Sequence, residues 1–495
     1  TIKTKGTMAK DKGPAVPVRK TTADGTVIPL KFVDKPFPYH YELKVRIDSL
    51  SDLGWGLGHL EDDSESLPEH PENWGVRVPM VLPGELVTAK VFKNMDDYSE
   101  ADLVKVLEPS EDRIEPQCPL AGKCGGCQFQ HMKIEKQREW KSNFVTKGLL
   151  EHEIEGYKGI DEISAKLLPV AGTDEIYGYR SKITPHYEAP TKVGDDEYEM
   201  EEIGFQQFMT RRLVDVEECP IAEPAINEKY KETRVELHKQ AKEGLLNNRK
   251  KRKRHRRSRN KELGATLLFR HADDDEDGNP VVVTDNKEYM TTTVKGIKFR
   301  YVAGNFFQNN NYVLPLMVDG VLSAALKPSA SGKVPSHLID CYCGSGLFAL
   351  SGASKFQLCV GIEVQEKAIE EATYNAEANN IKNCHFVAAS AEAIFTSPPK
   401  VKMENGEEQS VGDFPRDQTV VVVDPPRKGC SGAFLEQLYA FSPQRVVYMS
   451  CGPATQARDA KGIVEIGGYE IVSIQPFDLF PQTKHIECLM IFEKR

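Results

Sequence analysis

The stretch from Ser336 to Glu363 constrains the fold more than any other part of the chain. It opens His337-Leu-Ile-Asp340-Cys-Tyr-Cys-Gly344-Ser-Gly346 and closes Cys359-Val-Gly-Ile-Glu363. An apolar run, a Gly-x-Gly turn and the helix-like Leu347-Phe-Ala-Leu-Ser351 read as strand, turn and helix, the first unit of an α/β sheet. A side chain at Gly344 or Gly346 would hold a ligand off the backbone, so glycines there let a nucleoside lie against the turn. A second apolar run, 356–362, ends in Glu363, close to the ~20-residue separation at which an acid meets a ribose. Where a dinucleotide fingerprint has its third glycine the chain has Ala349. A mononucleoside cofactor of the S-adenosylmethionine type therefore fits better than NAD. The plain alternative is a packing turn in any α/β sheet.

A chain of 495 residues has room for two to four domains. No apolar run reaches the ~18 residues of a membrane span, so no membrane segment is expected. A formal charge of -10 argues against a uniformly basic coat but leaves room for a locally basic, RNA-facing surface. Eleven cysteines, odd in number and unevenly spaced, point to a reducing compartment in which thiols serve as ligands or nucleophiles.

Residues 1–37 lack hydrophobic periodicity and read as a mobile tail. Over 38–112 short alternating strands at 41–47, 76–81 and 85–92, with Gly54-Trp-Gly-Leu-Gly58 between the first two, predict a small OB-like β-barrel. Next comes Cys118-x5-Cys124-Gly-Gly-Cys127, three thiols spaced to meet on one metal centre, with Cys219 as the fourth ligand. Four thiolates suit a [4Fe-4S] cluster or structural Zn, and spacing alone leaves both open. Residues 113–295 form the central α+β segment. Within it, 249–259 carries nine Lys or Arg in eleven residues. Self-repulsion keeps such a run exposed, as a nuclear-import signal or a phosphate-binding arm.

Residues 296–495 carry the chemistry. Thr419-Val-Val-Val-Val423 is a buried strand ending in Asp424-Pro-Pro-Arg427. Amino-methylating enzymes place an aromatic after Asp-Pro-Pro, and Arg427 in that place argues against them. A further strand, from Val446, delivers Cys451 to the carboxyl edge of the sheet, where a following helix N-terminus would lower the thiol pKa. A small core hydrophobe is the alternative for that cysteine. Residues 396–417 read as a polar insertion.

Several of these segments resemble the RNA uracil-5-methyltransferases. The tract 81–87 and the ending 106–116 look like a TRAM domain. The thiol loop looks like that family's cluster loop, which favours iron-sulfur. Phe307-Gln308 with Asn310 resembles its F-x-Q-x-N element. The tracts 450–459 and 478–487 are similar to S-C-x-P-A-T-x-x-R-D and D-x-F-P-x-T-x-H-x-E. The resemblance implies a Rossmann-like class I methyltransferase domain behind the barrel and the central segment. It implies S-adenosylmethionine held by Gln308, Asp340, Gly344, Gly346, Glu363 and Asp424, with Cys451 attacking C6 of uracil and Glu487 removing the C5 proton. The substrate would be RNA, transfer RNA ahead of ribosomal RNA, contacted in part by Arg180 and Lys182, and the enzyme a monomer. An amino-methyltransferase and a non-catalytic RNA-binding or folding factor are the alternatives. Nucleus or cytoplasm is the expected address, with an organelle left open.

Overall fold

The computed structural model describes residues 20–22, 26–61, 71–194, 197–248, 265–328, 332–402 and 406–495. The basic run 249–259 and, of the expected tail 1–37, residues 1–19 and 23–25 lie outside them. The chain divides into two compact units, one up to Arg113 and one from Ile114 on.

In the first unit β1 (Glu42–Leu50), β2 (Gly56–Leu60), β3 (Gly75–Val78), β4 (Leu86–Asn94) and β5 (Tyr98–Glu108) close a barrel in the order β1-β2-β3-β5-β4. Period-two alternation turns Leu43, Val45 and Ile47 of β1 inward, against Val76, Val78, Val87, Ala89 and Val91. Phe37 is fully buried in the same core, so order begins before residue 38. Gly58 lets β1 and β2 approach, since a Cβ there would sit 2.2 Å from the Arg46 carbonyl oxygen. Closure leaves no sheet edge to mispair.

The second unit is built on a seven-stranded sheet. Its strands are β6 (His337–Cys341), β7 (Leu358–Glu363), β8 (Cys384–Ala388), β9 (Thr419–Val423), β10 (Arg445–Ser450), β11 (Tyr469–Phe477) and β12 (Glu487–Lys494), in the order β8-β7-β6-β9-β10-β12-β11. Only β12 runs against its neighbours. β6, β9 and β10 are buried at every residue, which is why they read as continuous apolar runs rather than alternations. This is the doubly wound sheet of class I methyltransferases. Its carboxyl edge gathers the turns after β6, β7, β9 and β10, the place where open α/β sheets bind ligands.

The segment ahead of this sheet is not a free-standing spacer. Helix α1 (Ile134–Glu151) packs on α2 (Pro453–Glu465), the helix that follows β10. Residues 167–171 run along the outer edge of β11, with Leu168 N–H donating to Ile474 O (2.8 Å) and Ala171 N–H to Pro476 O (2.9 Å). That contact covers an edge otherwise open to pairing. The stretch 396–417, expected as a polar insertion, instead holds a hairpin of Lys400–Lys402 and Glu408–Ser410. It buries Val401, Val411 and Phe414. Three apolar residues spaced by turns were too sparse to show as a periodic element.

Candidate active site

At the head of the sheet, Asp340 is the fourth residue of β6 and is fully buried. Its Oδ2 accepts the Ala349 N–H at 2.9 Å, while Oδ1 has no partner. Burial, then the fields of Asp424 and Glu363, push its carboxyl up to about 8. The turn that follows places Gly344 at φ 53° and Gly346 at φ 91°. The two glycines differ in what they avoid. A Cβ on Gly344 would meet nothing within 4 Å, leaving that face open to a ligand. One on Gly346 would strike Phe386 at 2.9 Å and Leu350 at 3.0 Å. Gly346 is thus required by backbone conformation and packing, which corrects the expectation that both spare a ligand. Glu363 ends β7, and its Oε1 accepts the N–H groups of Val364 (2.8 Å) and Gln365 (3.0 Å). This bond fixes the carboxylate where the strand stops.

Gln308 is buried in a loop whose shape is held by Arg270. That guanidinium, fully buried itself, donates to the carbonyls of Ala303 (3.1 Å), Asn305 (2.8 Å) and Phe307 (3.0 Å). Phe307 stacks on Tyr301 with centroids 4.4 Å apart, whereas Phe306 stands 79% exposed beside it. Asn310 closes the end of this loop, its Oδ1 accepting the N–H groups of Tyr312 (3.0 Å) and Val313 (3.1 Å).

Cys451 follows β10 directly and is half-buried, and Glu487 is the first residue of β12 and is buried. The antiparallel register pairs Ser450 with Cys488, so the next pair outward is Cys451 with Glu487. Asp424 follows β9, the other neighbour of β10. Arg427, three residues on, lies close enough for its charge to favour the Cys451 thiolate. Burial, then the charge of Glu487, push that thiol up to about 11, with Arg427 pulling it back. The expected lowering by the helix N-terminus is overridden, because desolvating a thiolate costs more than one helix end returns. Glu487 is itself pushed well above the ordinary carboxyl range by burial and by Asp424, a half-buried residue whose own carboxyl is raised to about 7 by desolvation.

Arg427 was read from sequence only as a missing aromatic. The fold gives it a seat: Thr455 Oγ1 donates to its carbonyl at 3.0 Å, and Arg458 Nη2 holds the Lys428 carbonyl at 3.0 Å. Arg458 in turn pairs with buried Asp459, which accepts from Cys430 N–H and the Tyr448 hydroxyl, both at 2.7 Å. The Arg-Asp ending of the 450–459 tract therefore shapes the loop that carries Arg427.

Cys118, Cys124, Cys127 and Cys219 are drawn together from loops far apart in sequence. Cys127 feels the charges of Cys219, Cys124 and Cys118. Burial pushes these thiols up, Cys127 to about 12 and Cys219 to about 11, and hydrogen bonding from Gly126 at Cys124, from Gln130 at Cys127 and from the Ile221–Ala222 backbone at Cys219 pulls them back. Donors near sulfur suit a thiolate centre. Among the described residues, however, no group of three or more Cys, His, Asp or Glu closes to the spacing of a metal ion. The expected [4Fe-4S] or Zn centre is therefore not shown.

A thiol held by Arg427, a buried acid across the strand pair and a nucleoside-shaped turn at the sheet edge define a class I methyltransferase with a candidate nucleophile. The family description tRNA (Uracil-5-)-methyltransferase matches residues 237–495. A tRNA (uracil(54)-C(5))-methyltransferase of Schizosaccharomyces pombe is 36% identical, over 93% of this chain and 79% of its own length. One of the same description from Saccharomyces cerevisiae is 29% identical, over 96% of this chain and 76% of its own. The solved Pyrococcus abyssi tRNA (uracil-54, C5)-methyltransferase, in complex with S-adenosyl-L-homocysteine, shares the fold. Its TM-score is 0.59 at 21% identity, covering 91% of this chain and 99% of that one. This chain belongs to the tRNA (uracil-5-)-methyltransferase family and is a methyltransferase.

The thiol geometry has a direct readout. Arg427→Ala removes the one cation that favours the thiolate, so the pH at which Cys451 becomes alkylable by iodoacetamide should rise by about one unit. Its rate near neutral pH should then fall about tenfold. Mass-spectrometric alkylation kinetics at Cys451 check this, and an unchanged profile would remove Arg427 from the site.

Proposed function

We propose that this enzyme methylates C5 of a uridine in transfer RNA, with S-adenosylmethionine as methyl donor. The observation that carries the reading is the β10–β12 register, which sets Cys451 beside Glu487 with Arg427 on the thiol. Both fungal relatives carry transfer RNA uracil 54 in their descriptions, which makes that position the first to test.

Uracil C5 is a poor nucleophile. Attack of the Cys451 sulfur on C6 shifts the C5–C6 π electrons onto the C4 carbonyl as an enolate, and C5 becomes nucleophilic. S-adenosylmethionine supplies the electrophilic methyl group that C5 takes. Glu487 then accepts the C5 proton, the double bond re-forms and the Cys451 thiolate departs. Burial makes Glu487 a stronger base, once ionised, than a carboxylate in water, and Arg427 stabilises the thiolate at both ends of the cycle. Gly344 and Gly346 would shape the cradle for the cofactor, Glu363 would meet its ribose, and Asp340 and Asp424 would hold its cationic end. Gln308 orients the pair. Arg180 and Lys182 have no acidic partner among the described residues. Lys182 is held down to about 8 by burial and by the cations Arg270 and Arg180. Crowded cations of this kind favour a phosphate.

The covalent cycle separates the two catalytic residues. Cys451→Ala should abolish methylation and leave RNA binding intact. Glu487→Gln should still transfer the methyl group but stall, giving a protein–RNA adduct that survives a denaturing gel and carries the methyl label. Rapid turnover by Glu487→Gln, with no adduct, would leave the cycle without its base.

Proton linkage tests the cradle. Asp340 and Asp424, raised to about 8 and about 7, hold protons in the free enzyme near neutrality. A cationic cofactor favours their ionised forms, so binding should release protons and tighten as pH rises from about 6 to about 8, then level off. Calorimetry in two buffers of different ionisation enthalpy reads this, and Asp340→Asn should remove most of the release.

The mutual proximity of Cys118, Cys124, Cys127 and Cys219, with hydrogen bonding at three of them, supports a [4Fe-4S] cluster there, with no reaction step passing through it. Anaerobically purified protein should be brown and contain iron and sulfide, and Cys127→Ala should bleach it. A colourless, zinc-loaded preparation would refute the iron-sulfur assignment.

A further inference from the structure

Glu487 is reached through a strap, residues 478–486, that leaves β11 and enters β12. We propose that the segment from Gln128 to Lys141 is the positioning element for this strap, and so governs removal of the C5 proton rather than attack by the thiol. The proposal rests on the reading of Glu487 as base.

Almost every residue of the strap is held from outside the sheet. Asp478 accepts from Lys141 at 2.5 Å and from Arg138 at 3.3 Å. The carbonyl of Leu479 accepts from Asn310 (2.9 Å), that of Phe480 from Lys141 (3.1 Å) and that of Pro481 from the Tyr179 hydroxyl (2.9 Å). Gln482 O accepts two N–H groups, of Gln128 (3.1 Å) and Phe129 (2.9 Å). Gln482 N–H donates to Gln137 Oε1 (2.9 Å), and Gln137 Nε2 donates back to Gln482 Oε1 (3.0 Å). Lys484 N–H donates to Gln128 Oε1 at 3.2 Å.

These bonds converge on a residue that needs them. Gln482 has φ 68°, a backbone conformation that side-chain-bearing residues rarely adopt unless their surroundings over-determine it. Gln137 is fully buried and gives its remaining donor capacity to the Phe129 and Met132 carbonyls, so it is fixed from its own side as well. Without the Gln137 side chain Gln482 can relax, and without the Gln128 side chain the Lys484 N–H loses its acceptor; either loss loosens the lead into β12, where Glu487 sits. Cys451 is carried by β10 and α2 and takes no part in this network. Loosening the strap should therefore spare bond formation and methyl transfer while slowing release.

The experiment uses the full chain carrying Gln128→Ala, or Gln137→Met, which keeps the side-chain volume. Gln128→Glu serves as the rescue, because it retains the acceptor for Lys484 N–H. Two readouts are taken: hydrogen exchange of amides 479–486, and the fraction of enzyme trapped as methyl-labelled protein–RNA adduct. Both variants should exchange faster in the strap and accumulate adduct about fivefold over wild type, with cofactor and RNA affinity within about twofold. Gln128→Glu, which keeps the acceptor for Lys484 N–H but loses the Nε2 donor to the Gly125 carbonyl, should bring amide 484 and the adduct fraction back toward wild type. Wild-type exchange in the strap of both variants, or a wild-type adduct fraction alongside faster exchange, would overturn the proposal. Glu487→Gln is run in parallel. If that variant traps no adduct, the assignment of the base falls, while strap exchange still decides whether these glutamines position the segment.

Discussion

The buried ion pair of Lys141 and Asp478 is the contact on which the active half of this molecule depends. Both side chains are without solvent exposure, and they meet at 2.5 Å. Taking two charges out of water is expensive, and the attraction between them offsets that cost only when the geometry is good and the remaining donors are used. Burial pulls the Lys141 pKa down and Asp478 pulls it back up. Lys141 spends a second donor on the Phe480 carbonyl, and Arg138 reaches the other oxygen of Asp478. Neither partner is tolerable alone in that position. Helix α1 and the strap leading to Glu487 must therefore come together, and with α1 comes the loop that carries Gln128.

A second constraint is electrostatic. Asp340, Asp424 and Glu487 are all displaced upward by burial, and Asp340 and Glu487 also feel Asp424. Folding takes up protons at these carboxyls. The stability these carboxyls contribute to the cofactor-free protein thus declines as pH rises above their unfolded values near 4, and for Asp340 the decline levels off only above about 8. The thiol shares this bias, at about 11, with Arg427 as the opposing cation.

The parallel strands, the Gly-x-Gly turn and the acids at strand ends were legible because each is a local pattern. A strand buried on both faces must be apolar throughout, and a turn at positive φ favours glycine. The barrel showed itself through period-two alternation for the same reason. Even locally, the reading of Gly346 left out a packing requirement. What its Cβ would strike is Phe386, forty residues on, and no nearby residue announces that.

The sequence by itself determined which groups of this enzyme can do chemistry: a cysteine after one strand, a glutamate before another, four thiols, and acids at the ends of β7 and β9. Only the tertiary structure decided which of them meet. The antiparallel turn-back of β12 sets Glu487 opposite Cys451, and the α2 helix seats Arg427 against the thiol. The Gln128, Gln137 and Gln482 network spans 345 residues between Gln137 and Gln482. Hydrogen bonds and charge–charge fields act through space, over a few ångströms, and sequence separation carries no trace of them. The same is true of pKa. A helix N-terminus after Cys451 is visible in the sequence, but the burial that overrides it belongs to the packed molecule.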